Sequence, residues 1–325
     1  MSKFQLSAGT RVLGLVAVGV VVAACGSGGS TTSGATGTAA GAASPIALAD
    51  LPLDATHAQV MTLFAYDASK PLDVQDATPP KTADGVTTRD ITYKSSDGTD
   101  VVAWLVAPSG SGPFAAVLFL HWLGAGSSRD EFLAEATTLA KRGVVSLLPT
   151  RFFPGVAAPA DWRTDRESIV AQDVELRRGL DVLLAQPGVD PKRVAFVGHD
   201  YGAMNGAILA AVDHRLKAVV LMAPDATWAN WFFQYFPFLP SARTEYDHAM
   251  KAFDPAAFLP QIAPTPLYLQ FSGQDQYVPA EVAQQLTKAA GNPKTSTYAS
   301  VGHNLQDDAT VAADRDAWLA EALGL

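Results

Sequence analysis

Downstream of residue 86, short apolar runs alternate with longer amphipathic segments. Residues 87–94 and 99–107 alternate apolar and polar positions and are joined by Ser95-Ser96-Asp97-Gly98, a pattern that predicts a β-hairpin. The run 114–120 is continuously apolar, as expected for a central strand covered on both faces. Further strands are predicted at 144–149, 194–197, 217–222, 267–271 and 295–299.

The segments between these strands have helical patterns. Helices are predicted at 127–141, 165–186, 201–212, 280–290 and 308–323. The first of them has acidic residues early and Lys141-Arg142-Gly143 at its end, which matches the preferences of helix termini. Strands that alternate with helices imply an α/β fold with a mostly parallel central sheet and helices on both faces.

The segment 225–264 interrupts this alternation and is rich in aromatic residues and proline. Seven aromatic residues fall between positions 228 and 238: Trp228, Trp231, Phe232, Phe233, Tyr235, Phe236 and Phe238. An insertion between two strands can cover the ends of the strands, so we expect a small aromatic lid. The alternative is a hydrophobic loop packed on the core.

The amino terminus has the pattern of a targeting segment. Lys3 and Arg11 precede a short apolar run that is too short for an ordinary membrane-spanning helix. The run closes with Val22-Ala23-Ala24-Cys25, which resembles the lipobox of bacterial lipoproteins. This resemblance implies a signal peptide over 1–24, lipidation of Cys25 and an extracytoplasmic protein anchored to a bacterial membrane. A secretory signal with an incidental cysteine is the alternative.

Composition divides the rest of the chain and excludes several classes of function. Residues 25–44 predict a flexible tether, 45–86 an N-terminal extension, and 87–325 the α/β domain.

The 325-residue chain carries a net charge of -9 and has no basic stripe, which argues against nucleic acid as a partner. Its single cysteine excludes an internal disulfide, and the histidines show no metal-ligand spacing. We therefore expect a small-molecule substrate, no metal and no cofactor.

The segment 193–206 reads R-V-A-F-V-G-H-D-Y-G-A-M-N-G. A short apolar run, a turn with glycines two positions before and after Asp200, and a helical segment follow one another, as in a nucleophile elbow. Glycine is needed at 198 and 202 because side chains there would clash around a strained central residue. The central residue is an aspartate, not a serine.

Three more groups that could take part in catalysis follow predicted strands. The turn His121-Trp122-Leu123-Gly124 comes after one strand, Asp275 after another and His303 after the last. Ligands of open α/β sheets bind beyond the carboxyl ends of the strands, so these groups should meet Asp200. The chain order of nucleophile, acid and histidine is that of the α/β-hydrolase triad.

From about residue 87 onwards the chain resembles the α/β-hydrolase superfamily, and its spacing is similar to the dienelactone hydrolase branch. The segments that carry this resemblance are Asp97-Gly98, the His121 turn, 139–143, 189–193 and 273–279. The elbow Gly198-His199-Asp200-Tyr201-Gly202 instead resembles the G-H-D-W-G of epoxide hydrolases and haloalkane dehalogenases, whose nucleophile is an aspartate.

The resemblance implies that Asp200 attacks an sp³ carbon and forms an alkyl-enzyme ester, since attack on an acyl ester would give an unfavourable anhydride. His303, oriented by Asp275, would then activate water. It also implies an oxyanion hole made by the N–H groups of Tyr201 and of Trp122 or Leu123.

The resemblance to epoxide hydrolases also implies two lid tyrosines that protonate the epoxide oxygen, for which Tyr235 and Tyr246 are the candidates, and on this ground epoxide is favoured over halide substrates. His199 and His121 are expected to pack and form hydrogen bonds rather than to react. Two alternatives stay open: a dienelactone hydrolase-like or esterase-like enzyme with a degenerate elbow, and a surface lipoprotein that binds a ligand without turnover.

Overall fold

The computed structural model describes residues 47–325 apart from residue 125, 151–160 and 236–239. The predicted signal peptide, the lipidation site Cys25 and the tether lie outside the described residues. None of the helices within the described ranges combines the length and the apolar character that a membrane span requires.

From residue 114 onwards each strand is followed by one or more helices, as the sequence predicts. The strands are β1 (Gln75–Asp76), β2 (Lys81–Ala83), β3 (Val86–Lys94), β4 (Asp100–Pro108), β5 (Phe114–Leu120), β6 (Val144–Pro149), β7 (Val189–His199), β8 (Ala218–Met222), β9 (Leu267–Ser272) and β10 (Lys294–Tyr298). The helices are α1 (His57–Met61), α2 (Leu133–Ala140), α3 (Trp162–Leu184), α4 (Tyr201–Val212), α5 (Trp228–Tyr235), α6 (Pro240–Met250), α7 (Pro255–Phe258), α8 (Ala280–Ala289) and α9 (Ala309–Leu323).

One sheet contains all of these strands. Its order is β1-β3-β4-β6-β5-β7-β8-β9-β10, and β2 also pairs with β3. The neighbours from β6 through β10 are parallel, whereas β4 runs antiparallel to both β3 and β6. The mostly parallel α/β sheet predicted from the sequence is therefore confirmed.

Apolar side chains fill the layers on either side of the central strands. Helix α4 has eleven buried residues among its twelve and packs on β7 and β8, next to α3. Helices α2 and α9 are joined by an ion pair between Glu135 and the fully buried Arg315. The carboxyl ends of the parallel strands all lie on one side of the sheet, and the elbow is located there.

Several predicted boundaries differ from the structure. The strand predicted at 194–197 spans Val189–His199. The helix predicted at 127–141 begins at Leu133, because residues 129–132 form a turn in which the N–H of Glu131 donates to the carbonyl of Ser128. The N-terminal extension contributes the short edge strands β1 and β2, which were not predicted. Both strands are fully exposed and therefore lack an alternating apolar pattern that a sequence could show.

Arginines of α3 hold the N-terminal extension against the domain. Arg166, Arg177 and Arg178 donate hydrogen bonds to main-chain carbonyls of the extension. The acceptors are Pro52, Leu53, Phe64, Ala68, Lys70 and Pro71. Since Arg166 and Arg178 are almost completely buried, these contacts are shielded from competing water.

Candidate active site

The turn between β7 and α4 has the strained geometry of a nucleophile elbow. Asp200 adopts φ 51° and ψ −115°, which L-residues rarely adopt. A Cβ at Gly198 would lie 2.5 Å from the carbonyl oxygen of Gly202, and one at Gly202 would lie 2.2 Å from that of Leu120. Glycine is therefore required at both positions, for the reason that the sequence predicted.

The carboxylate of Asp200 is 1% exposed and has a different donor on each oxygen. The indole Nε1–H of Trp231, on α5, donates to Oδ1 at 2.8 Å. The main-chain N–H of Leu123, in the turn after β5, donates to Oδ2 at 3.4 Å. The two oxygens are thereby distinguished before any substrate binds.

The structure brings Asp200, His303 and Asp275 together at the carboxyl ends of β7, β9 and β10. His303 Nε2 lies 3.6 Å from Asp200 Oδ1, and His303 Nδ1 lies 2.9 Å from Asp275 Oδ2. Asp275 also accepts the N–H groups of Tyr277 and Val278, which fix its carboxylate. The aromatic ring of Tyr277 contacts the edge of the His303 ring at 4.9 Å between centroids.

The imidazole of His303 is held between two carboxylates, and this decides its charge. Burial disfavours the protonated ring, but the hydrogen bonds and charges of Asp200 and Asp275 outweigh burial and raise the pKa of His303 to about 9. The pKa of Asp275 is lowered, because His303 and the two N–H donors together outweigh the effect of burial. At neutral pH the resting site is thus an imidazolium between two carboxylates.

The expected oxyanion donors fall into three different situations. Leu123 N–H faces Asp200, as described. Trp122 N–H does not, because it donates at 2.8 Å to Glu131 Oε2, so of the two alternatives that the sequence left open, Trp122 or Leu123, the contact with Asp200 is made by Leu123. Tyr201 is the first residue of α4, directly after Asp200, and its role as a donor stays a prediction.

Of the two candidate tyrosines of the lid, the structure describes the side chain of Tyr246 only. Its hydroxyl donates at 2.6 Å to Asp165 Oδ2 on α3 and is therefore engaged by a group outside the triad. The expectation for Tyr246 is corrected accordingly. The side chain of Tyr235 lies outside the described part of the chain.

Sequence reasoning did not find Trp231 or Glu131. Trp231 is one of seven aromatic residues in the insertion, and nothing in their spacing indicates which indole reaches Asp200. Glu131 is one of the acidic residues early in the helix predicted at 127–141, where acidic residues are common for reasons unrelated to a site; its side chain is 3% exposed and contacts His199 Nδ1 at 2.6 Å. His121 Nδ1 contacts the carbonyl of Trp122 at 2.5 Å, in keeping with the bracing role expected for it.

Among the described residues, no group of three or more His, Cys, Asp or Glu side chains has an arrangement that could hold a metal ion. The chemistry that the arrangement offers is instead that of a buried carboxylate, an imidazolium and main-chain N–H donors. These are the components of nucleophilic or general acid–base hydrolysis.

Comparison with known protein families gives the same class of chemistry. A family model described as "Esterase FrsA-like" matches residues 57–227, slightly more than half of the chain. An uncharacterised protein of Mycobacterium tuberculosis is 28% identical over 222 residues, which are 66% of this chain and 72% of that protein. "Esterase FrsA" of Salmonella schwarzengrund is 26% identical over 244 residues, which are 67% of this chain and 57% of that protein.

Solved structures show the same architecture. The acetyl xylan esterase from Paenibacillus sp. R4 superimposes with a TM-score of 0.65 at 18% identity, covering 82% of this chain and 93% of that chain. A putative dienelactone hydrolase from Klebsiella pneumoniae superimposes with a TM-score of 0.54 at 14% identity, covering 74% and 98%. At such identities the likeness concerns the fold alone, which is that of the α/β-hydrolases.

Proposed function

The chain belongs to the FrsA-like esterase family, and from this premise and the site geometry we propose that it is a hydrolase with Asp200 as covalent nucleophile. The proposal rests on the different surroundings of the two oxygens of the Asp200 carboxylate. Oδ1 lies near His303 Nε2 and is the attacking oxygen, whereas Oδ2 faces the Leu123 N–H and is the oxygen that later becomes the oxyanion.

In the first step Asp200 Oδ1 attacks an sp³ carbon that carries a leaving group. The new C–O bond forms as the bond to the leaving group breaks, and the electron pair departs with that group. The product is an ordinary alkyl ester of Asp200, whereas attack on an acyl carbon would give an anhydride. Because Trp231 occupies Oδ1 in the resting site, its indole must leave this oxygen when substrate arrives.

The leaving group is one that accepts a hydrogen bond, and we take it to be a halide or an epoxide oxygen. The indole N–H of Trp231 supports this choice, since it is released beside the reacting carbon when Oδ1 attacks. An epoxide leaves as an alkoxide that needs a proton, and the imidazolium of His303 holds one at neutral pH. Because His303 can supply this proton, an epoxide substrate is favoured and does not require a tyrosine as the acid.

In the second step His303 acts as the base. The ester has no negative charge on Asp200, so one of the two carboxylates that raise the pKa of His303 is lost and the ring gives up its proton more readily. Neutral Nε2 then takes a proton from water, whose oxygen attacks the Asp200 carbonyl carbon. The oxyanion forms on Oδ2 at the Leu123 N–H, and the alkyl oxygen leaves with the proton from His303.

Replacing the base tests this sequence of steps. With a haloalkane, whose halide leaves without a proton, the first step should proceed in His303→Gln and the second should fail, so the elbow peptide should gain the mass of the alkyl group in mass spectrometry. His248→Gln, an exposed position on α6, is the matched control and should show no added mass. An unmodified elbow peptide in His303→Gln, with a haloalkane that the wild type turns over, would reject the covalent route.

A second candidate function is supported by the esterase family itself. In an esterase of this kind Asp200 would act as a general base and direct water onto an acyl carbon, which avoids the anhydride. Hydrolysis in ¹⁸O-water would then place the label in the carboxylic acid product and leave Asp200 unmodified. Ester turnover with that labelling pattern would replace the alkyl-ester proposal.

We also propose that the protein is anchored to a bacterial membrane through acylated Cys25. The support is the sequence Val22-Ala23-Ala24-Cys25 and the tether that follows it. The wild type should partition into detergent and carry acyl mass on the peptide that begins at Cys25. Cys25→Ser should abolish both properties, and a wild type without acyl mass would contradict the anchor.

A further inference from the structure

Glu131 connects two of the loops that form the site. It lies between β5 and α2, and both of its carboxylate oxygens are engaged. Oε2 accepts the N–H of Trp122 at 2.8 Å, in the turn that carries Leu123. Oε1 contacts His199 Nδ1 at 2.6 Å, and His199 is the residue directly before Asp200.

His199 extends this connection to the third loop. Its Nε2 lies 3.0 Å from the main-chain carbonyl oxygen of His303, and the two imidazole rings are 5.3 Å apart between centroids. Both partners of the His199 ring are acceptors, so a proton is shared between Nδ1 and Glu131 while Nε2–H donates to the carbonyl. The side chain of His199 is fully buried, and water therefore does not compete for these bonds.

The geometry points to Glu131 and His199 as positioning residues for the reaction on Asp200, a role that rests on the proposed function. By fixing the Trp122 N–H, Glu131 orients the next peptide so that the Leu123 N–H faces Asp200 Oδ2. By fixing the carbonyl of His303, His199 holds that ring between Asp200 and Asp275. Hydrogen bonds to a charged partner are short and strong, which suits groups that must be in place before the oxyanion forms.

These contacts concern the step in which the ester is hydrolysed. Leu123, the oxyanion donor, and His303, the base, act in that step, whereas the alkylation of Asp200 by a haloalkane needs neither of them. Loss of the pair should therefore slow ester hydrolysis more than ester formation. A group that only supports the fold would lower stability without changing which step is slow.

The test is the variant Glu131→Ala compared with Glu131→Gln. The alanine removes both contacts, so kcat should fall about 10–100-fold with KM changed less than about threefold, and the alkyl-enzyme should accumulate on the elbow peptide during turnover. Glutamine can accept the Trp122 N–H and donate to the neutral His199 ring, so it should restore most of kcat. Glu135→Gln, which disrupts the Arg315 ion pair on α2, is the matched control and should lower stability while leaving kcat unchanged.

A second readout does not depend on turnover. In ¹⁵N-histidine NMR titrations of Glu131→Ala, the pKa of His303 should fall from about 9 towards 6.5, because the ring is no longer held between its two carboxylates. If Glu131→Ala does not fold, His199→Phe keeps the ring volume, removes both polar contacts and carries the same expectation. A folded variant in which the His303 titration and kcat both match the wild type would overturn the positioning role.

The two readouts separate this inference from the proposed function. If no substrate mass ever appears on Asp200, the alkyl-ester chemistry fails, and the titration of His303 still decides whether the pair positions the ring. If the mass appears in the wild type and Glu131→Ala neither accumulates it nor shifts His303, the chemistry stands and the positioning role is wrong.

Discussion

Asp200 is an ordinary carboxylate in an unusual setting, since its two oxygens meet different donors. The Trp231 indole is on Oδ1 and the Leu123 N–H is on Oδ2. The sequence identified Asp200, Asp275 and His303 because each directly follows a predicted strand. It could not identify Trp231 or choose between Trp122 and Leu123, because which N–H points inward depends on the path of the turn and on a buried partner such as Glu131.

Removing the charge of Asp200 should change the titration of His303. Asp200→Asn imitates the charge of the ester intermediate, and the pKa of His303 should fall from about 9 by on the order of one unit or more. NMR titration of the imidazole measures this. Asp100→Asn, at an exposed position of β4, should leave the titration of His303 where it is; equal titrations in both variants would contradict the coupling of the two residues.

Trp231→Phe should lower kcat/KM about 10–100-fold, because a hydrogen bond to a charged or developing negative group is lost. Phenylalanine can retain the tilted ring contact with Tyr201 and the T-shaped ring contact with Phe232. Trp318→Phe is the control, since Trp318 packs on Tyr268 near the start of β9, at the opposite end of that strand from the site. Equal activity of both variants would exclude a role for the indole N–H.

Among the elements, the strands and the long helices followed from apolar periodicity, whereas the insertion 225–264 did not. Helix α6 makes a buried polar contact with a partner far away in sequence, and α5 makes polar contacts with the residue that begins the insertion. Tyr246 of α6 donates to Asp165 of α3, and Asp225 at the start of the insertion accepts from Asn230 and Gln234 of α5. Burial raises the pKa of Asp165 to about 7 and that of Asp225 to about 6.

The buried carboxyl group of Asp165 on α3 should make stability depend on pH, because burial raises its pKa although the hydrogen bond from Tyr246 of α6 lowers it. The pKa of Asp165 is about 7 in the folded protein, above the ordinary value of 3.8 that applies in the unfolded chain. The folded state therefore binds the proton more tightly. The free energy of unfolding should therefore fall as the pH rises from about 4 to about 7.

Asp165→Asn keeps an acceptor for the Tyr246 hydroxyl and removes the charge. Between pH 5 and pH 8 the free energy of unfolding, measured with denaturant, should fall less in this variant than in the wild type. The difference between the two falls should be on the order of 1–3 kcal/mol. The exposed Asp84→Asn should retain the wild-type difference. A variant with the full wild-type pH dependence would show that Asp165 is not the responsible group.

The contacts of α3 with the extension should be important for stability. Arg178 is fully buried and donates to the carbonyls of Lys70 and Pro71. In Arg178→Gln these carbonyls and the Asp181 carboxylate lose the charged N–H donors of the guanidinium. The free energy of unfolding should fall by about 2–4 kcal/mol, and limited proteolysis should cleave first within the extension. Arg163→Gln, at an exposed position of the same helix, should change stability by less than about 0.5 kcal/mol.

For the molecule as a whole, the sequence predicted an α/β-hydrolase body, and the fold and the family both agree with it. The body was predictable because parallel strands buried on both faces have continuous apolar runs and because triad residues follow strand ends in a fixed order. The extension was not, since its hydrogen bonds run from arginines of α3 to main-chain carbonyls, which carry no sequence signal. Lipid anchoring at Cys25 stays a prediction from the sequence.

The central claim is that Asp200 itself is esterified and then regenerated by water. A single turnover in ¹⁸O-water, with enzyme in excess over an epoxide or haloalkane substrate, followed by mass spectrometry of the elbow peptide, tests it most directly. The account predicts one ¹⁸O atom in the Asp200 carboxylate and none in the released alcohol oxygen. An unlabelled Asp200 after complete turnover, with the label in the product, would contradict it.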